Sequence, residues 1–378
     1  MLPEELRVEV CVASELPVRR VGFIWGYLDL RTDWAHMHKG IIKGLEQLGV
    51  GIEYLDATPY RVGRPVYRWL QAIGQAGPGY PFRPEAVAAA RLSGALLRRR
   101  RRPDVDGWIH FAAPPLGRPA PGPYVTFEDI TVAQRRSSGV WFGMSDRRWE
   151  RWNTQQADLY RHAHACCTVS TWSKASLVAD YGVPEEKVHV VGLGRNVELR
   201  PPEHRDWSNP RFLFVGNDWT RKNGERVVRA FARLRQLRPE ARLDVVGAHP
   251  PIDEPGAVGH GYLSFQVPAE AAALSDLYHR ATCFVMPSLN EPWGVVYLEA
   301  AGAGLPVIAT TEGGIHDALG DDGALYVDPR DEDGLLAAMM RMADPEVAST
   351  MATSAHRNGQ RYEWDRVAER VLQALTAA

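Results

Sequence analysis

Short apolar runs alternate with longer segments of helical periodicity along most of this 378-residue chain. Residues 20–27 form a strand-like run followed by a helix-like segment at 33–48, and residues 166–170 precede another such segment at Thr171–Tyr181. A strand followed by a helix and then by another strand is typical of a parallel sheet covered on both faces. The alternation therefore predicts an α/β fold with doubly wound parallel sheets.

The alternation stops once, at residues 193–210, and then restarts. This segment contains Pro201, Pro202 and Pro210 among charged residues, which indicates a linker. We expect a domain at residues 1–192, a linker at 193–210, a second domain at 211–360 and a closing amphipathic helix within 361–378. A chain of this length has room for two domains of similar size.

Composition narrows the possible partners and compartments. The net charge is −2, which gives no overall attraction to nucleic acid or anionic membranes. Four scattered cysteines favour a reducing compartment. No apolar stretch approaches ~18 residues, so we expect no transmembrane segment and a cytoplasmic location.

Several common sites are missing from the sequence. It contains no P-loop, no G-x-G-x-x-G after a strand and no G-x-S-x-G elbow, which argues against the corresponding hydrolases and dehydrogenases. His162 and His164 lie near Cys166 and Cys167, but the run passes from a helix end into a buried strand. We therefore favour structural packing over a zinc site there.

Residues 284–316 contain the most informative pattern. A predicted strand is followed by a loop with Glu291, a helix that begins near Gly294, and Glu299 inside that helix. The first turn of a helix leaves N–H groups unpaired and has a partial positive charge, so Gly294 and Val295 can bind an anion. Two carboxylates on either side of an anion site suit a nucleotide sugar, which has hydroxyls on both sides of its phosphates.

A second segment, residues 212–224, points to the same place. Here a predicted strand is followed by a loop with Arg221 and Lys222, next to a helix start. Only five of the 44 basic residues are lysines, so ammonium groups are scarce. Because loops at the carboxyl ends of parallel strands share one crevice, we expect these two cations to face Gly294.

The string Glu291-Pro-Trp-Gly-Val-Val-Tyr-Leu-Glu299 resembles the E-x7-E motif of the family 4 retaining glycosyltransferases, and Gly302-Ala-Gly304-Leu-Pro306 and Gly313-Gly314 continue the match. The resemblance is good over residues 165–375 and loose before them. It implies the GT-B fold, with two Rossmann-like domains facing a central cleft. It also implies transfer of a sugar from a UDP-, GDP- or similar donor to an acceptor, with retention and without an essential metal or cofactor.

The resemblance also implies roles for individual residues. Glu299 would bind the ribose hydroxyls and Glu291 a hydroxyl of the donor sugar, while Arg221 and Lys222 would hold the diphosphate. The segment from Trp364 resembles the family's closing helix, which packs back on the first domain. The other expected donor contacts are Gly26, Asn217, Trp293, Gly294 and Val295.

Two positions depart from the family pattern. Asn217 stands where an arginine is frequent, and Arg221 is a candidate replacement for that missing cation. Glu128 stands where the family often has a histidine near the reacting sugar. A carboxylate there is a candidate acceptor contact or base, and an ordinary loop residue at a strand end is the equally favoured alternative.

Other functions remain open on the sequence alone. A sugar-nucleotide epimerase or a phosphorylase would use the same GT-B framework, and a nucleotide-sugar binding protein would need no transfer chemistry. The lack of an apolar span favours a small soluble acceptor over a lipid-linked one. The donor base, the sugar, the acceptor atom and the oligomeric state are not determined by the sequence.

Overall fold

The computed structural model describes residues 17–25, 36–56, 104–111, 122–139 and 145–377. The first of its two parallel sheets has the order β2-β1-β3-β4-β5-β6. Its strands are β1 (Arg20–Trp25), β2 (Gly51–Asp56), β3 (Gly107–Phe111), β4 (Tyr124–Glu128), β5 (Ala165–Thr168) and β6 (Val188–Val190).

The second parallel sheet has the order β12-β11-β10-β7-β8-β9. Its strands are β7 (Arg211–Val215), β8 (Arg242–Val246), β9 (Ala257–Gly261), β10 (Cys283–Val285), β11 (Val307–Thr310) and β12 (Ala324–Val327). Numbered within this sheet, the order is 3-2-1-4-5-6, which is that of a Rossmann fold. The predicted α/β class with two Rossmann-like sheets is confirmed.

Helices follow the strands in the described parts of the chain. They are α1 (His36–Gln47), α2 (Val132–Ser138), α3 (Asp146–His162), α4 (Thr171–Tyr181), α5 (Gly224–Leu237), α6 (Pro268–Arg280), α7 (Val295–Gly302), α8 (His316–Gly323), α9 (Glu332–Met342), α10 (Pro345–Gly359) and α11 (Trp364–Thr376). Two 3₁₀ turns lie at Glu185–Lys187 and Gln360–Tyr362. None of the helices in the described segments is long and apolar enough to span a membrane.

The direction of winding in the second sheet reverses between β7 and β10. These strands are neighbours, with Phe212 opposite Cys283 and Leu213 opposite Phe284. From this central pair, β8 and β9 extend the sheet beyond β7, and β11 and β12 extend it beyond β10. The loops that follow β7 and β10 therefore meet over a crevice at the carboxyl edge of the sheet, where α/β proteins bind ligands.

In the described residues, two segments pass between the sheets. The first crossing, residues 193–210, contains no helix or strand. In the second, α11 returns to the first sheet and packs against α1, β4 and β5. The contact is close: a Cβ atom on Gly107 would lie 2.7 Å from Leu375, and His164 Nε2 lies 2.7 Å from the Ala377 carbonyl oxygen.

The packing of α11 on α1 predicts an unusual response to a helix mutation. Alanine normally stabilises a helix relative to glycine by ~1 kcal/mol. A Cβ on Gly44, however, would lie 2.1 Å from the Trp364 carbonyl oxygen, so one of the two helices must shift. We expect Gly44→Ala to lower the free energy of unfolding by ~2 kcal/mol in urea titrations. The exposed Lys39→Ala on the same helix is the control, and a stabilised Gly44→Ala would contradict this packing.

Candidate functional site

The loop between β7 and α5 is fixed by Asn223. This residue adopts the left-handed conformation (φ 65°), which asparagine tolerates better than most residues. Its side-chain nitrogen donates to the carbonyl oxygens of Pro287 (3.0 Å) and Pro329 (2.7 Å). The loop is therefore tied to the segment after β10, and the preceding residue, Lys222, is directed toward it.

The loop between β10 and α7 is held from two sides. The Leu289 N–H donates to the Arg221 carbonyl oxygen (2.8 Å), and Arg221 Nη1 donates to the Asn290 carbonyl oxygen (3.0 Å). On the other side, the Glu291 N–H donates to the Glu312 carbonyl oxygen (2.9 Å). The backbone position of Glu291 is thus set by hydrogen bonds that do not involve its side chain.

Glu291, Lys222 and Arg221 form a buried charge cluster. The Glu291 carboxylate pairs with Lys222 Nζ and lies 3.5 Å from Arg221 Nη1, and it accepts a hydrogen bond from Ser288 Oγ (3.2 Å). Burial favours the neutral acid, but the two cations outweigh it and hold the pKa of Glu291 below its ordinary value. Burial also lowers the pKa of Lys222, against the attraction of Glu291.

The N-terminus of α7 opens beside this cluster. Gly294 precedes the helix with φ 73° and ψ 75°, and no side chain caps it. Gly294, Val295 and Val296 are all partly exposed. The free N–H groups of a first turn with its partial positive charge, next to Lys222, form an anion-binding arrangement.

Glu299 lies one turn further into α7 and has different partners. It is 1% exposed and accepts a hydrogen bond from the Tyr278 hydroxyl (3.3 Å) on α6. Burial raises the pKa of Glu299 to about 7, although Tyr278, the Asn196 N–H and Arg195 each lower it. The structure therefore places this carboxyl beside the first crossing segment and not within the Glu291 cluster.

Glu128 lies between the first sheet and the helix α3 that covers it. It ends β4, is 4% exposed, and its Oε2 accepts a hydrogen bond from Gln156 Nε2 (2.6 Å) on α3. Its other oxygen has no hydrogen-bond partner, and the Tyr160 hydroxyl lies nearby. Burial raises the pKa of Glu128 to about 8. Its contacts are with α3, and the structure does not bring it to Lys222 or Glu291.

The remaining residues predicted from the sequence to contact the donor differ in their exposure. Asn217 is exposed in the loop after β7, and its side chain lies near Gly247. Trp293 follows Pro292 in the loop before α7, but its side chain is only 1% exposed and packs against Tyr362. Gly26 lies outside the described residues.

Sequence reasoning missed two supports of the site. Ser288 donates to the Glu291 carboxylate, and Asn223 joins the two loops through its side chain. Asn223 directly follows Lys222 and precedes Gly224. Because asparagine tolerates the left-handed backbone conformation, this position could have indicated the sharp turn that begins α5. Ser288 depends on a loop conformation that no local pattern indicates.

The possible zinc residues are engaged elsewhere. His164 contacts the Ala377 carbonyl oxygen, and Cys166 and Cys167 are buried in β5. Across the described ranges, histidine, cysteine and acidic side chains form no group of three or more that could hold a metal ion.

Two family models match this chain, and together they span most of it. "Glycosyltransferase Family 4" matches residues 40–199, and "Glycosyl transferases group 1" matches residues 209–344. The first match covers β2 to β6 of the first sheet, and the second covers all of the second sheet. The chain belongs to the family 4 glycosyltransferases of the GT-B fold.

Curated relatives agree with this family. A D-inositol 3-phosphate glycosyltransferase of Streptomyces avermitilis is 29% identical over 53% of this chain, and the match spans 49% of that relative. A glycogen synthase of Mycobacterium tuberculosis is 27% identical over 85% of this chain and 78% of its own length.

Solved structures share the fold at low sequence identity. A sucrose-phosphate synthase from Thermosynechococcus elongatus has a TM-score of 0.68 at 18% identity, covering 93% of this chain and 96% of its own. An Anabaena protein in complex with UDP-glucose has a TM-score of 0.61 at 15% identity, covering 95% of this chain and all of its own.

The charge cluster predicts a stability effect that does not depend on activity. Lys222→Met leaves Glu291 buried with Arg221 and Ser288 alone. We expect a loss of ~3–5 kcal/mol in the free energy of unfolding at neutral pH, because a buried charge has lost its main partner. The double variant Lys222→Met/Glu291→Gln should recover most of this loss. A double variant as unstable as the single one would show that the pair is not coupled.

Glu299 predicts a pH-dependent stability difference. Its pKa of about 7 is above that of an unfolded glutamate, so its stabilising contribution is complete at low pH and disappears as pH rises toward 7. Glu299→Gln resembles the protonated form at every pH. Between pH 5 and 8 we therefore expect the wild type to lose up to ~3 kcal/mol relative to this variant in chemical denaturation. A constant difference across this range would contradict the raised pKa.

Proposed function

We propose that this protein is a retaining glycosyltransferase that moves a sugar from a nucleotide-sugar donor to a small soluble acceptor, without an essential metal. The observation on which the proposal depends is the meeting of Lys222, Arg221 and Glu291 beside the α7 N-terminus, over the switch point of a Rossmann sheet. Ligands of such sheets bind at this position, and a diphosphate matches its charge.

The site would promote departure of the nucleoside diphosphate. Charge accumulates on the leaving phosphate as the glycosidic bond breaks, and groups already oriented toward it stabilise that charge. Lys222, Arg221 and the N–H groups of Gly294 and Val295 would provide this stabilisation. Glu291 would bind a hydroxyl of the sugar and Glu299 the ribose hydroxyls.

Retention by same-face attack is supported by the state of the carboxyl groups. Glu291 is engaged by two cations, which makes its carboxylate a poor nucleophile. The pKa of Glu128 is about 8, so at neutral pH this group is mostly a neutral acid. With neither acid suited to forming a covalent sugar intermediate, the leaving phosphate is the base that we propose for the acceptor hydroxyl.

The proposed acceptor is a small polar molecule. Glu128 is buried against α3 and hydrogen-bonded to Gln156, so we assign it no contact with the acceptor. Two similar proteins are named for phosphorylated polyols or sugars, the D-inositol 3-phosphate glycosyltransferase and the sucrose-phosphate synthase, which favours a small polar acceptor. We also propose a cytoplasmic site of action. Epimerase, phosphorylase and donor-binding functions are the alternatives.

The donor prediction can be tested by thermal denaturation. We expect one of UDP, GDP, ADP and dTDP at ~100 times its Kd to stabilise the wild type by ~2.7 kcal/mol. UDP is the first choice, because a structural neighbour was solved with UDP-glucose. Lys222→Ala should lose most of the shift, while the exposed Lys43→Ala should keep it. The absence of a shift with all four nucleotides would refute the donor site.

The transfer reaction is tested with the matching nucleotide sugar and a panel of polyol and sugar-phosphate acceptors. NMR should show a product with the donor's anomeric configuration, and EDTA should leave the rate unchanged. Lys222→Ala should lower kcat by ~10³-fold. An inverted anomer or loss of activity in EDTA would contradict retention or metal independence, respectively. Phosphate-dependent release of sugar phosphate would instead identify a phosphorylase.

A further inference from the structure

Three consecutive residues of the loop between β10 and α7 face three different parts of the molecule. Glu291 pairs with Lys222 inside the second domain. The next residue, Pro292, lies near the first domain: a Cβ on Gly314 would lie 2.5 Å from the Pro292 carbonyl oxygen and 2.3 Å from Ser170 Oγ of the first domain, so Gly314 packs between the two. The third, Trp293, turns away from the site and is 1% exposed. The loop that would hold the diphosphate thus lies against the boundary between the two sheets.

The Trp293 side chain lies where the chain passes between the sheets. Its ring contacts Tyr362 edge to face, with 5.0 Å between centroids and 71° between planes. Tyr362 ends the 3₁₀ turn two residues before α11, the element of the second crossing. Gly192 immediately precedes the first crossing, and a Cβ on it would lie 2.5 Å from the Tyr362 ring and 3.4 Å from Trp293 Cζ2. Trp293 therefore contacts Tyr362 near the start of the second crossing and lies beside Gly192 at the start of the first.

Polar contacts continue this connection into the first sheet. The Tyr362 hydroxyl donates to the Asp317 carbonyl oxygen (2.9 Å), and the Asp317 carboxylate accepts a hydrogen bond from Thr171 Oγ1 (2.8 Å) at the start of α4. Arg370 on α11 donates to the Val191 carbonyl oxygen (2.9 Å). A rotation of one sheet relative to the other cannot leave this junction unchanged.

We infer that Trp293 is a positioning residue that links diphosphate binding at Gly294 and Val295 to the relative orientation of the two sheets. Trp293 immediately precedes Gly294, so a ligand that shifts the loop must also shift the ring. Close-packed interiors transmit such shifts because they leave no free space. The linkage is reciprocal: domain closure then favours the phosphate-binding conformation of the loop.

This inference rests on the proposed function and predicts a separation of binding from closure. The buried ring does not contact the diphosphate site directly, so Trp293→Leu should keep the affinity within ~10-fold of the wild type. Without the aromatic contact with Tyr362, the bound nucleotide should no longer bring the sheets together. Transfer should then slow, because the acceptor and donor halves of the site are not aligned.

The experiment measures the radius of gyration by small-angle X-ray scattering, with and without the diphosphate that stabilises the wild type best. The wild type should become more compact on binding, and Trp293→Phe should do the same because it retains an aromatic edge. Trp293→Leu should bind without compaction and lose at least tenfold in kcat. Trp149→Leu is the matched control: this tryptophan is 6% exposed on α3 and stacks on Trp152. It should compact normally.

Each outcome decides the inference. Compaction of Trp293→Leu equal to that of the wild type, or wild-type binding without compaction, would overturn it. If no diphosphate binds the wild type, the proposed function itself fails and the inference with it. Should Trp293→Leu not fold, Tyr362→Leu removes the same contact from the other side, and normal compaction of that variant would equally overturn the linkage.

Discussion

The ion cluster of Glu291 with Lys222 and Arg221 is the interaction on which the candidate site depends. It joins two loops that are 69 residues apart in sequence, and it is buried enough that neither charge could be left alone. Because the backbone of each loop is anchored independently by Asn223 and by Glu312, the side chains meet in a fixed geometry. Under the proposed function, a diphosphate entering the site would meet cations that are already positioned, which is the condition for electrostatic stabilisation of a leaving group.

Strand order explains why the cluster forms where it does. β7 and β10 are adjacent although their register partners Phe212 and Cys283 are 71 positions apart in the sequence, so the loops that follow these strands leave the sheet side by side. The chain then winds away on both sides and leaves the crevice between the loops open. The second family model covers this sheet, residues 209–344, which agrees with a site built from its two central loops.

Much of this arrangement was predictable from local pattern. The α/β alternation indicated both sheets, and residues such as Gly294 marked the helix start, because glycine before an apolar run permits its φ of 73°. The strand β9 (Ala257–Gly261) was not predicted, since an exposed edge strand with two glycines has no apolar signal. Helix α10 was also not predicted, although Asp344 before Pro345 is a good helix start. The burial of Trp293 depends on contacts with Tyr362, far away in sequence, which no local pattern contains.

Three buried glutamates show how the environment assigns different chemistry to one residue type. Glu291 has two cations in contact, and its pKa is lowered; Glu299 and Glu128 rely on neutral hydrogen-bond donors, and their pKa values rise to about 7 and about 8. Hydrogen bonds from neutral groups do not offset the cost of burying a charge as two cations do. At neutral pH only Glu291 is thus firmly ionised, and it already neutralises part of the positive charge beside α7. In the proposed function, a donor diphosphate would share Lys222 and Arg221 with Glu291. The N–H groups at the start of α7, which no side chain caps, would then be the part of the site left for the diphosphate alone.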